Sequence, residues 1–202
     1  MDLYRYDASL RRKGFAIIAG VDEAGRGPIA GPVVAAAAVL PPSARIAGLR
    51  DSKQVPEKER AVLFWEVLCA AEALGVGIVD HERIDDSNIL KATKEAMQLA
   101  LQDLRMTPQL LVIDAVALPS VPVEQISPFK AESKSASVAA ASIVAKYVRD
   151  AIMLRYDELY PVYNFRKHKG YCTREHLEKI SRHGLCPIHR KSYRKVMTMN
   201  LF

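Results

Sequence analysis

The run Leu110-Leu111-Val112-Ile113 is the feature that most constrains the fold of this chain. It is continuously apolar, as strands are when a sheet buries them on both faces. Such strands are typical of layered α/β proteins, in which helices cover a sheet. Asp114 follows the run directly, at a strand end, where a sheet edge offers a crevice for ligands.

Strand-like runs and helical patterns alternate along the rest of the chain. Phe15–Asp22 and Val33–Leu40 are short, apolar and separated by Gly-Pro-rich sequence, which predicts two strands in a hairpin-like arrangement. The later predicted elements are a helix over Pro56–Leu74 that ends at Gly75, a strand over Val76–Asp80, a helix from Asn88 to Leu104 capped by Asp86 or Ser87, an alanine-rich helix over Ser135–Leu159 that Pro161 stops, and a helix capped by Thr173 that ends near Gly184. This order predicts an α/β protein whose mixed β-sheet is flanked by helices.

The length and composition allow one substantial hydrophobic core. The chain has 202 residues, of which 50% are hydrophobic. We expect a main domain over residues 1–160 and a small, basic helical extension over residues 161–202. Trp65 lies in a predicted helix with Leu63 and Leu68, and we expect it in the core.

Several features favour a cytoplasmic protein without a membrane segment. The first fifteen residues contain no long apolar stretch typical of a secretory signal. The longest apolar stretch, Ile29–Leu40, is broken by Gly31 and Pro32 and is too short to span a bilayer. The three cysteines are odd in number and lack disulfide-like spacing, which suits a reducing compartment. A monomer is the default expectation.

The net charge of +6 favours a polyanionic partner. The basic residues concentrate between positions 165 and 195, interspersed with Phe165, Tyr171 and Tyr193. The basic members are Arg166, Lys167, Lys169, Arg174, Lys179, Arg182, Arg190, Lys191, Arg194 and Lys195. Positive charge for phosphates and flat rings for sugars or bases suit a nucleic-acid groove, whereas a merely solvated helical surface is the alternative.

Acidic residues occur where a sheet edge would collect them. Asp22 and Asp114 both end apolar strands, which would bring them together if the strands are adjacent. Glu23 points away from Asp22 in a regular strand, so it joins the cluster only if the chain bends at Ala24-Gly25. Glu132 precedes the alanine-rich helix, where an acid can also serve the helix dipole alone. Clustered carboxylates disfavour one another unless a cation neutralises them, which predicts one or two Mg²⁺ or Mn²⁺ ions.

The segment Val21–Pro28 joins these acids to a Gly-Arg-Gly turn. Carboxylates suit a hard divalent cation, and backbone N–H groups with a guanidinium suit a phosphodiester. The turn is neither a Walker A loop nor a GxGxxG fingerprint. On its own it is also compatible with a plain strand-end turn.

Together these motifs closely resemble the ribonuclease HII family, the type 2 ribonucleases H. The matching segments span nearly the whole sequence: GVDEAGRGPIAGPVVAAAAVL, LRDSKQV, LVIDA, KAESKSASVAAASIVAKYVRD and YPVYNFRKHKGYCTREHLEKISRHGLCPIHRKSY. The resemblance implies an RNase H-like fold and metal-dependent cleavage of the RNA strand of RNA–DNA hybrids. It also implies cleavage on the 5' side of single ribonucleotides in duplex DNA, leaving 3'-hydroxyl and 5'-phosphate ends, and hence a part in ribonucleotide repair and DNA replication.

The resemblance also implies roles for individual residues. Asp22, Glu23, Asp114 and Glu132 match the four catalytic, metal-binding acids. Gly25, Arg26 and Gly27 match the motif that recognises the ribose 2'-hydroxyl, the group that distinguishes RNA from DNA. Tyr171 matches the tyrosine that packs on the neighbouring deoxyribose, and Lys53 and Lys146 are candidate phosphate contacts. The family commonly has Asp where this chain has Glu132, so the metal preference is expected to differ.

Rival interpretations remain at this point. A non-catalytic nucleic-acid-binding module would contain the basic run but use its acids structurally. An acid-pair glycosidase needs two carboxyl groups but gives no reason for the basic run. Cys172, His176, Cys186 and His189 are soft ligands that could hold structural zinc, although their spacing is not that of a standard finger. The ending Thr198–Phe202 loosely resembles the Leu-Phe peptides that dock on bacterial sliding clamps, through Leu201 and Phe202; a disordered end is the alternative.

Overall fold

The computed structural model describes residues 3–114, 116–193 and 196. Five strands form one sheet: β1 (Ile18–Ala24), β2 (Val33–Val39), β3 (Ala73–Val79), β4 (Leu110–Ile113) and β5 (Glu124–Ile126). The helices of the described residues are α1 (Leu3–Arg11), α2 (Glu57–Ala70), α3 (His81–Asp86), α4 (Ile89–Asp103), α5 (Ala136–Leu159), α6 (Phe165–His168) and α7 (Arg174–His183). The α/β class predicted from the order of elements is confirmed.

The sheet is mixed, with the strand order β3-β2-β1-β4-β5. β1 pairs antiparallel with β2, and β2 pairs antiparallel with β3, which confirms the hairpin-like start. β1 and β4 pair in parallel, as do β4 and β5. The two faces of β4 contribute to different apolar clusters, so this strand is covered on both sides as its sequence predicted.

Small residues let helices pack closely on both faces of the sheet. Along β2, Ala35 and Ala37 face the cluster that contains α4, whereas Ala36 and Ala38 face the cluster that contains α2 and α5. Gly20 of β1 lies against α5 so closely that a Cβ atom there would be 2.1 Å from the carbonyl carbon of Ser137. The alanine-rich sequence of α5 is thus matched by a sheet surface without large side chains.

Two predicted boundaries are wrong for reasons of tertiary packing. The helix expected over Pro56–Leu74 ends at Ala70, and Ala73 already begins β3. A Cβ at Gly75 would lie 2.1 Å from the Ala100 carbonyl oxygen. Gly75 therefore does not end a helix but lies within β3, where its lack of a side chain lets α4 pack directly on the strand.

The cap expected at Asp86 or Ser87 is instead Asn88, whose side chain accepts a hydrogen bond from the Lys91 N–H at 2.9 Å. Asp86 is not available because it ends the short helix α3. Four described elements, α1, α3, β5 and α6, are too short or too weakly apolar to be predicted from the sequence. The caps expected at the starts of α5 and α7, Ser135 and Thr173, are confirmed.

The prediction that Trp65 belongs to the core is wrong. Its exposed fraction is 57%, whereas that of Leu63 is 5%. Leu63 and Val67 lie one turn apart on the buried face of α2, and a residue two positions from Leu63 points to the opposite face of a helix. Trp65 therefore faces solvent.

The described part of the C-terminal region packs around its own apolar cluster. Phe165 of α6 and Ile180 of α7 join Met153 of α5 and Ile29 of the loop after β1. The helical extension expected there is present, and the boundary at residue 160 stays a prediction. The described helices include none with the length and apolarity needed to cross a bilayer.

The close contact between β1 and α5 generates a stability prediction. Gly20→Ala forces a methyl group into the α5 backbone, because the atoms it meets cannot rotate away. Overpacking of this kind costs about 1–3 kcal/mol or more, and in a domain of this size each kcal/mol lowers Tm by about 2–4 °C. We therefore expect the Tm of Gly20→Ala, measured in a thermal melt, to lie at least about 2–4 °C below that of the wild type.

Gly27→Ala is the matched control, because a Cβ there would meet only the Tyr171 Cε1 atom at an ordinary 3.6 Å. Its Tm is expected to stay within a degree or two of the wild type. Equal melting of Gly20→Ala and the control would contradict the packing described here.

Candidate active site

Parallel pairing of β1 and β4 places Asp22 next to Asp114. The register aligns Val21 with Ile113, so the residue that follows each of them emerges at the same sheet edge. The Asp114 carboxylate accepts a hydrogen bond from the Ala131 N–H at 3.1 Å, which ties this edge to the 3-10 turn Ala131–Ser133. The two aspartates are brought together as the sequence predicted.

The two predicted glutamates lie at the same edge. Glu132 belongs to the turn that Asp114 holds, and its exposed fraction is 5%, like that of Asp22. The side chain of Glu23 is 11% exposed. Glu23 experiences the charge of Asp114 although β1 pairs regularly with β2 as far as Ala24. β1 ends at Ala24 and Gly25 has a φ of 102°, so the chain turns where the sequence placed the bend that Glu23 needs.

The acids oppose one another's ionisation. Burial, followed by the negative charge of Glu23, raises the pKa of Asp22 well above its usual value. Burial also raises the pKa of Glu23 and of Glu132, and the charge of Asp114 adds to both effects. A fifth acid, Asp51, contributes to the raised pKa of Glu132. Negative charge at this edge is therefore unfavourable unless positive charge joins it.

Two cations of the protein reach the acids. The Arg26 guanidinium donates a hydrogen bond to Glu23 Oε1 at 3.1 Å. Burial would lower the pKa of Lys53, but the carboxylates of Asp22, Asp51 and Glu132 outweigh burial and raise it. Lys53 thus lies near enough to the acids for their charges to affect it. A substrate phosphate bound by Lys53 would therefore also lie near the acids.

The donor set suits a hard divalent ion. Carboxylate oxygens are the ligands that Mg²⁺ and Mn²⁺ prefer. Glu23 Oε2 and Glu132 Oε2 are buried and have no hydrogen-bond partner among the described residues. In the part of the chain that the structure describes, no three Asp, Glu, His or Cys side chains are already arranged to hold an ion. Ion binding would require these side chains to draw together.

The Gly-Arg-Gly segment lies between the acids and Tyr171. Gly25 follows β1 with a φ of 102°, a conformation that favours glycine. A Cβ atom at Gly27 would lie 3.6 Å from the Tyr171 ring, which is 44% exposed. The segment predicted to read the ribose and the tyrosine predicted to pack on the adjacent sugar are therefore neighbours on the surface.

Lys146 is placed differently. Its ammonium group forms a hydrogen bond to the Asp150 carboxylate, which also receives one from Arg60 at 3.0 Å. Burial lowers the pKa of Lys146. This ion network links α2 to α5, and a phosphate contact by Lys146 remains a prediction that requires it to leave Asp150.

The basic run divides into exposed and buried members. Arg166, Lys167 and Arg174 are exposed, with side-chain fractions of 62%, 70% and 93%. Arg190 is fully buried, and Lys169 is 6% exposed and contacts Glu57 at 3.1 Å. Arg194 and Lys195 lie outside the described residues, as do Leu201 and Phe202.

The cysteine and histidine set does not converge on a single point. His176 Nε2 lies 3.0 Å from His189 Nε2, and His189 Nδ1 accepts a hydrogen bond from the Cys186 N–H at 2.9 Å. Burial lowers the pKa of His176 to about 3 and that of His189 to about 4, so both rings are neutral at pH 7. The nitrogens thus bond within the protein, which argues against the zinc alternative.

Several residues at the site were not singled out from the sequence. Ser142 of α5 favours the ionised form of Asp22 and shares a hydrogen bond of 2.8 Å with Ser52. Arg149 and Arg190 are buried behind the Gly-Arg-Gly segment. A serine in the otherwise apolar first half of α5 is the signal that could have identified Ser142, whereas Arg149 stands between Lys146 and Asp150 and has no such signal.

The sequence is similar to that of known ribonucleases HII over nearly its whole length. The family model described as Ribonuclease HII matches residues 19–196. A ribonuclease HII of Acetivibrio thermocellus is 49% identical over 96% of this chain and 76% of its own length, and that of Listeria innocua is 47% identical over 100% and 77%.

Solved structures show the same fold. The ribonuclease H2 of Pyrococcus horikoshii aligns with a TM-score of 0.76 and 29% identity over 90% of this chain and 95% of its own. The RNase HII of Archaeoglobus fulgidus, solved in a PCNA:RNase HII complex, aligns with a TM-score of 0.75 and 26% identity over 91% and 96%. The chain belongs to the ribonuclease HII family and is a type 2 ribonuclease H.

Proposed function

We propose that this ribonuclease H is a metal-dependent endonuclease that cuts the RNA strand of RNA–DNA hybrids and the 5' side of single ribonucleotides embedded in duplex DNA. The products are a 3'-hydroxyl and a 5'-phosphate. The observation that carries the proposal is the convergence of Asp22, Glu23, Asp114 and Glu132 at one sheet edge, beside the Gly25–Gly27 segment. The protein would work in the cytoplasm on ribonucleotides left in DNA.

In this proposal the four acids hold Mg²⁺ or Mn²⁺. The ions supply an activated water and stabilise the charge on the leaving oxygen. The raised pKa values of Asp22, Glu23 and Glu132 mean that their ionised forms are unfavourable without added positive charge. A bound divalent ion would supply that charge. Lys53 lies close enough to these groups to assist with a substrate phosphate.

Substrate selection is assigned to the surface next to the acids. Gly25, Arg26 and Gly27 contact the ribose 2'-hydroxyl, and Tyr171 packs on the sugar of the next nucleotide. The adjacency of Gly27 and Tyr171 supports this division, since neighbouring nucleotides must meet the two parts at once. The exposed cations of α6 and α7 hold the phosphate backbone, which makes binding weaken with salt.

The rival non-catalytic module is less consistent with the site. A structural role would favour acids that are paired or exposed, because an unpaired buried carboxylate destabilises the fold. Here Glu23 and Glu132 each keep a buried oxygen that no group in the described part of the chain hydrogen-bonds. Such groups are tolerated when function needs them.

Cleavage of a labelled duplex containing one ribonucleotide tests the proposal. Wild-type protein is expected to cut it with Mg²⁺ or Mn²⁺ and not with EDTA, and to leave an all-DNA duplex intact. Asp22→Asn removes a ligand and is expected to lower the rate at least about 10³-fold, as loss of a main transition-state contact does. Absence of cleavage by the wild type, or equal cutting of the all-DNA duplex, would refute the proposal.

The thermal stability of Asp22→Asn separates lost chemistry from lost folding. Because the folded-state pKa of Asp22 is raised, its ionisation at pH 7 destabilises the metal-free protein, and the penalty disappears as the pH falls below the usual carboxyl range. The neutral amide removes that penalty, so the variant is expected to melt above the wild type in EDTA. A lower Tm would mean that Asp22 stabilises the fold.

The longer side chain at position 132 is expected to influence the choice of ion. Glu132 is buried on the turn that Asp114 anchors, so its extra methylene shifts the position of its carboxylate relative to Asp114. Glu132→Asp is therefore expected to change the ratio of cleavage rates in Mg²⁺ and Mn²⁺, measured over a concentration series of each ion. An unchanged ratio in the variant would contradict this expectation.

A second proposal concerns the sliding clamp. The C-terminal Leu201 and Phe202 resemble a clamp-docking peptide, and the relative from Archaeoglobus fulgidus was solved with PCNA, which is a sliding clamp. We expect the full chain to bind a bacterial clamp and a variant lacking these two residues to lose at least about tenfold in affinity, as two buried apolar anchors would contribute.

Calorimetry or fluorescence anisotropy with labelled clamp measures this affinity, and cleavage of the single-ribonucleotide duplex without clamp is the control. The truncated variant is expected to cut that duplex at the wild-type rate. No binding by the intact chain would end the clamp proposal and leave the nuclease proposal intact.

A further inference from the structure

Two fully buried arginines lie behind the loop that joins β1 to β2. Arg149 of α5 and Arg190, which follows α7, both have an exposed fraction of 0%. Neither forms an ion pair with a carboxylate among residues 3–114, 116–193 and 196. Burial, followed by the charge of Arg190, lowers the pKa of Arg149 to about 10, so Arg149 is charged at pH 7. Burial also lowers the pKa of Arg190, and a guanidinium group keeps its proton in proteins. A protein retains two buried, mutually repelling charges only where other groups compensate them.

Backbone carbonyl groups of the loop provide that compensation. Arg190 donates hydrogen bonds to the carbonyl oxygens of Gly25 (2.7 Å), Arg26 (3.3 Å), Pro28 (2.8 Å) and Gly31 (2.9 Å). Arg149 donates to those of Ala30 (3.2 Å), Pro32 (3.0 Å) and Lys169 (3.0 Å). The loop is therefore wrapped around two guanidinium groups, and Arg149 also joins it to the segment that carries Tyr171.

The direction of these carbonyl groups decides where the amide hydrogens point. The described peptide bonds are trans, and in a trans peptide the C=O of one residue and the N–H of the next point in opposite directions. Since the carbonyls of Gly25 and Arg26 point inward to Arg190, the N–H groups of Arg26 and Gly27 point outward. Both of these residues are exposed.

We propose that Arg190 is a positioning residue that aims the Arg26 and Gly27 amides at the ribose of the substrate. The inference rests on the proposed function, in which this segment contacts the 2'-hydroxyl. Tyr193 completes the arrangement, because its hydroxyl accepts a hydrogen bond from Arg190 at 2.8 Å and donates one to the Arg26 carbonyl at 2.7 Å. The fork of donors on a guanidinium can hold several carbonyls at fixed angles, which a lysine ammonium cannot reproduce.

The location of Arg190 is itself fixed by the surrounding backbone. Its own N–H donates to the Ile29 carbonyl at 2.8 Å, and Ala30 forms a β-bridge with His189. On the other side, the Asp85 carboxylate of α3 accepts hydrogen bonds from the N–H groups of Lys191 and Ser192 at 2.8 and 3.0 Å. The guanidinium is therefore held from both directions before substrate arrives, so that the amides need no rearrangement.

The test compares the affinities of two duplexes that differ by a single 2'-hydroxyl. Wild type, Arg190→Lys, Tyr193→Phe and the control Arg155→Lys are titrated by fluorescence anisotropy in EDTA, where neither duplex is cut. Arg155 is 79% exposed on α5 and pairs only with Glu158 among its described neighbours. Tm and the metal-dependent rate of cleavage are measured for each protein.

Arg190→Lys is expected to bind the ribonucleotide duplex about tenfold more weakly, the loss of at least one oriented hydrogen bond, and to bind the all-DNA duplex as the wild type does. Tyr193→Phe, which retains the guanidinium, is expected to show a smaller loss of about threefold in the same direction. The control should match the wild type on both duplexes. A purely structural role for Arg190 would weaken both duplexes equally, and that result overturns the inference.

Other outcomes are equally decisive. Arg190→Lys that folds and retains the wild-type difference between the duplexes overturns the inference. If Arg190→Lys does not fold, Tyr193→Phe decides, and an unchanged difference there overturns it. Wild type that cuts the ribonucleotide duplex but binds both duplexes equally would overturn the inference while the nuclease function stands. Wild type that cuts neither would remove the proposed function together with it.

Discussion

The parallel pairing of β1 with β4 is the constraint on which the rest of the site depends. It places Asp22 and Asp114 at the same edge of the sheet although they are far apart in sequence. The pairing is stabilised by helices on both faces, which approach closely because the strands carry alanine and glycine where those helices cross. The turn that carries Glu132 is then attached by its hydrogen bond to Asp114. The acids of β1, β4 and this turn are therefore held in place by the same strand pairing.

This arrangement accumulates charge that the fold only partly neutralises. Burial and mutual repulsion raise the pKa of Asp22, Glu23 and Glu132, while Arg26 and Lys53 provide limited positive charge. Stability is thus reduced at the acid cluster, where we propose that the chemistry takes place. A divalent ion would relieve the repulsion, which couples binding of the ion to closure of the acid cluster.

The loop that joins β1 to β2 has the opposite arrangement of charge. Behind it, two cations without carboxylate partners among the described residues are solvated by backbone carbonyls, and the carbonyl groups in turn direct two amides outward. The acids at the sheet edge and the buried guanidinium groups behind the loop thus lie on either side of Gly25, where β1 ends and a φ of 102° turns the chain.

Local sequence was sufficient for the class of fold, the main strands and the family, because apolar periodicity, caps and short ordered motifs are local signals. The four acids that it selected do lie at one sheet edge, and their catalytic role stays a prediction. Local sequence was not sufficient for the exposure of Trp65 or for the start of β3, since each depends on what packs opposite it. Arg190 illustrates the limit most clearly. As a sequence feature it is one cation in a basic run, and only the tertiary structure buries it against carbonyls some 160 positions earlier in the chain. Burial reverses the role of a charge, from attracting phosphate at the surface to organising backbone inside, and burial is a property of the folded chain as a whole.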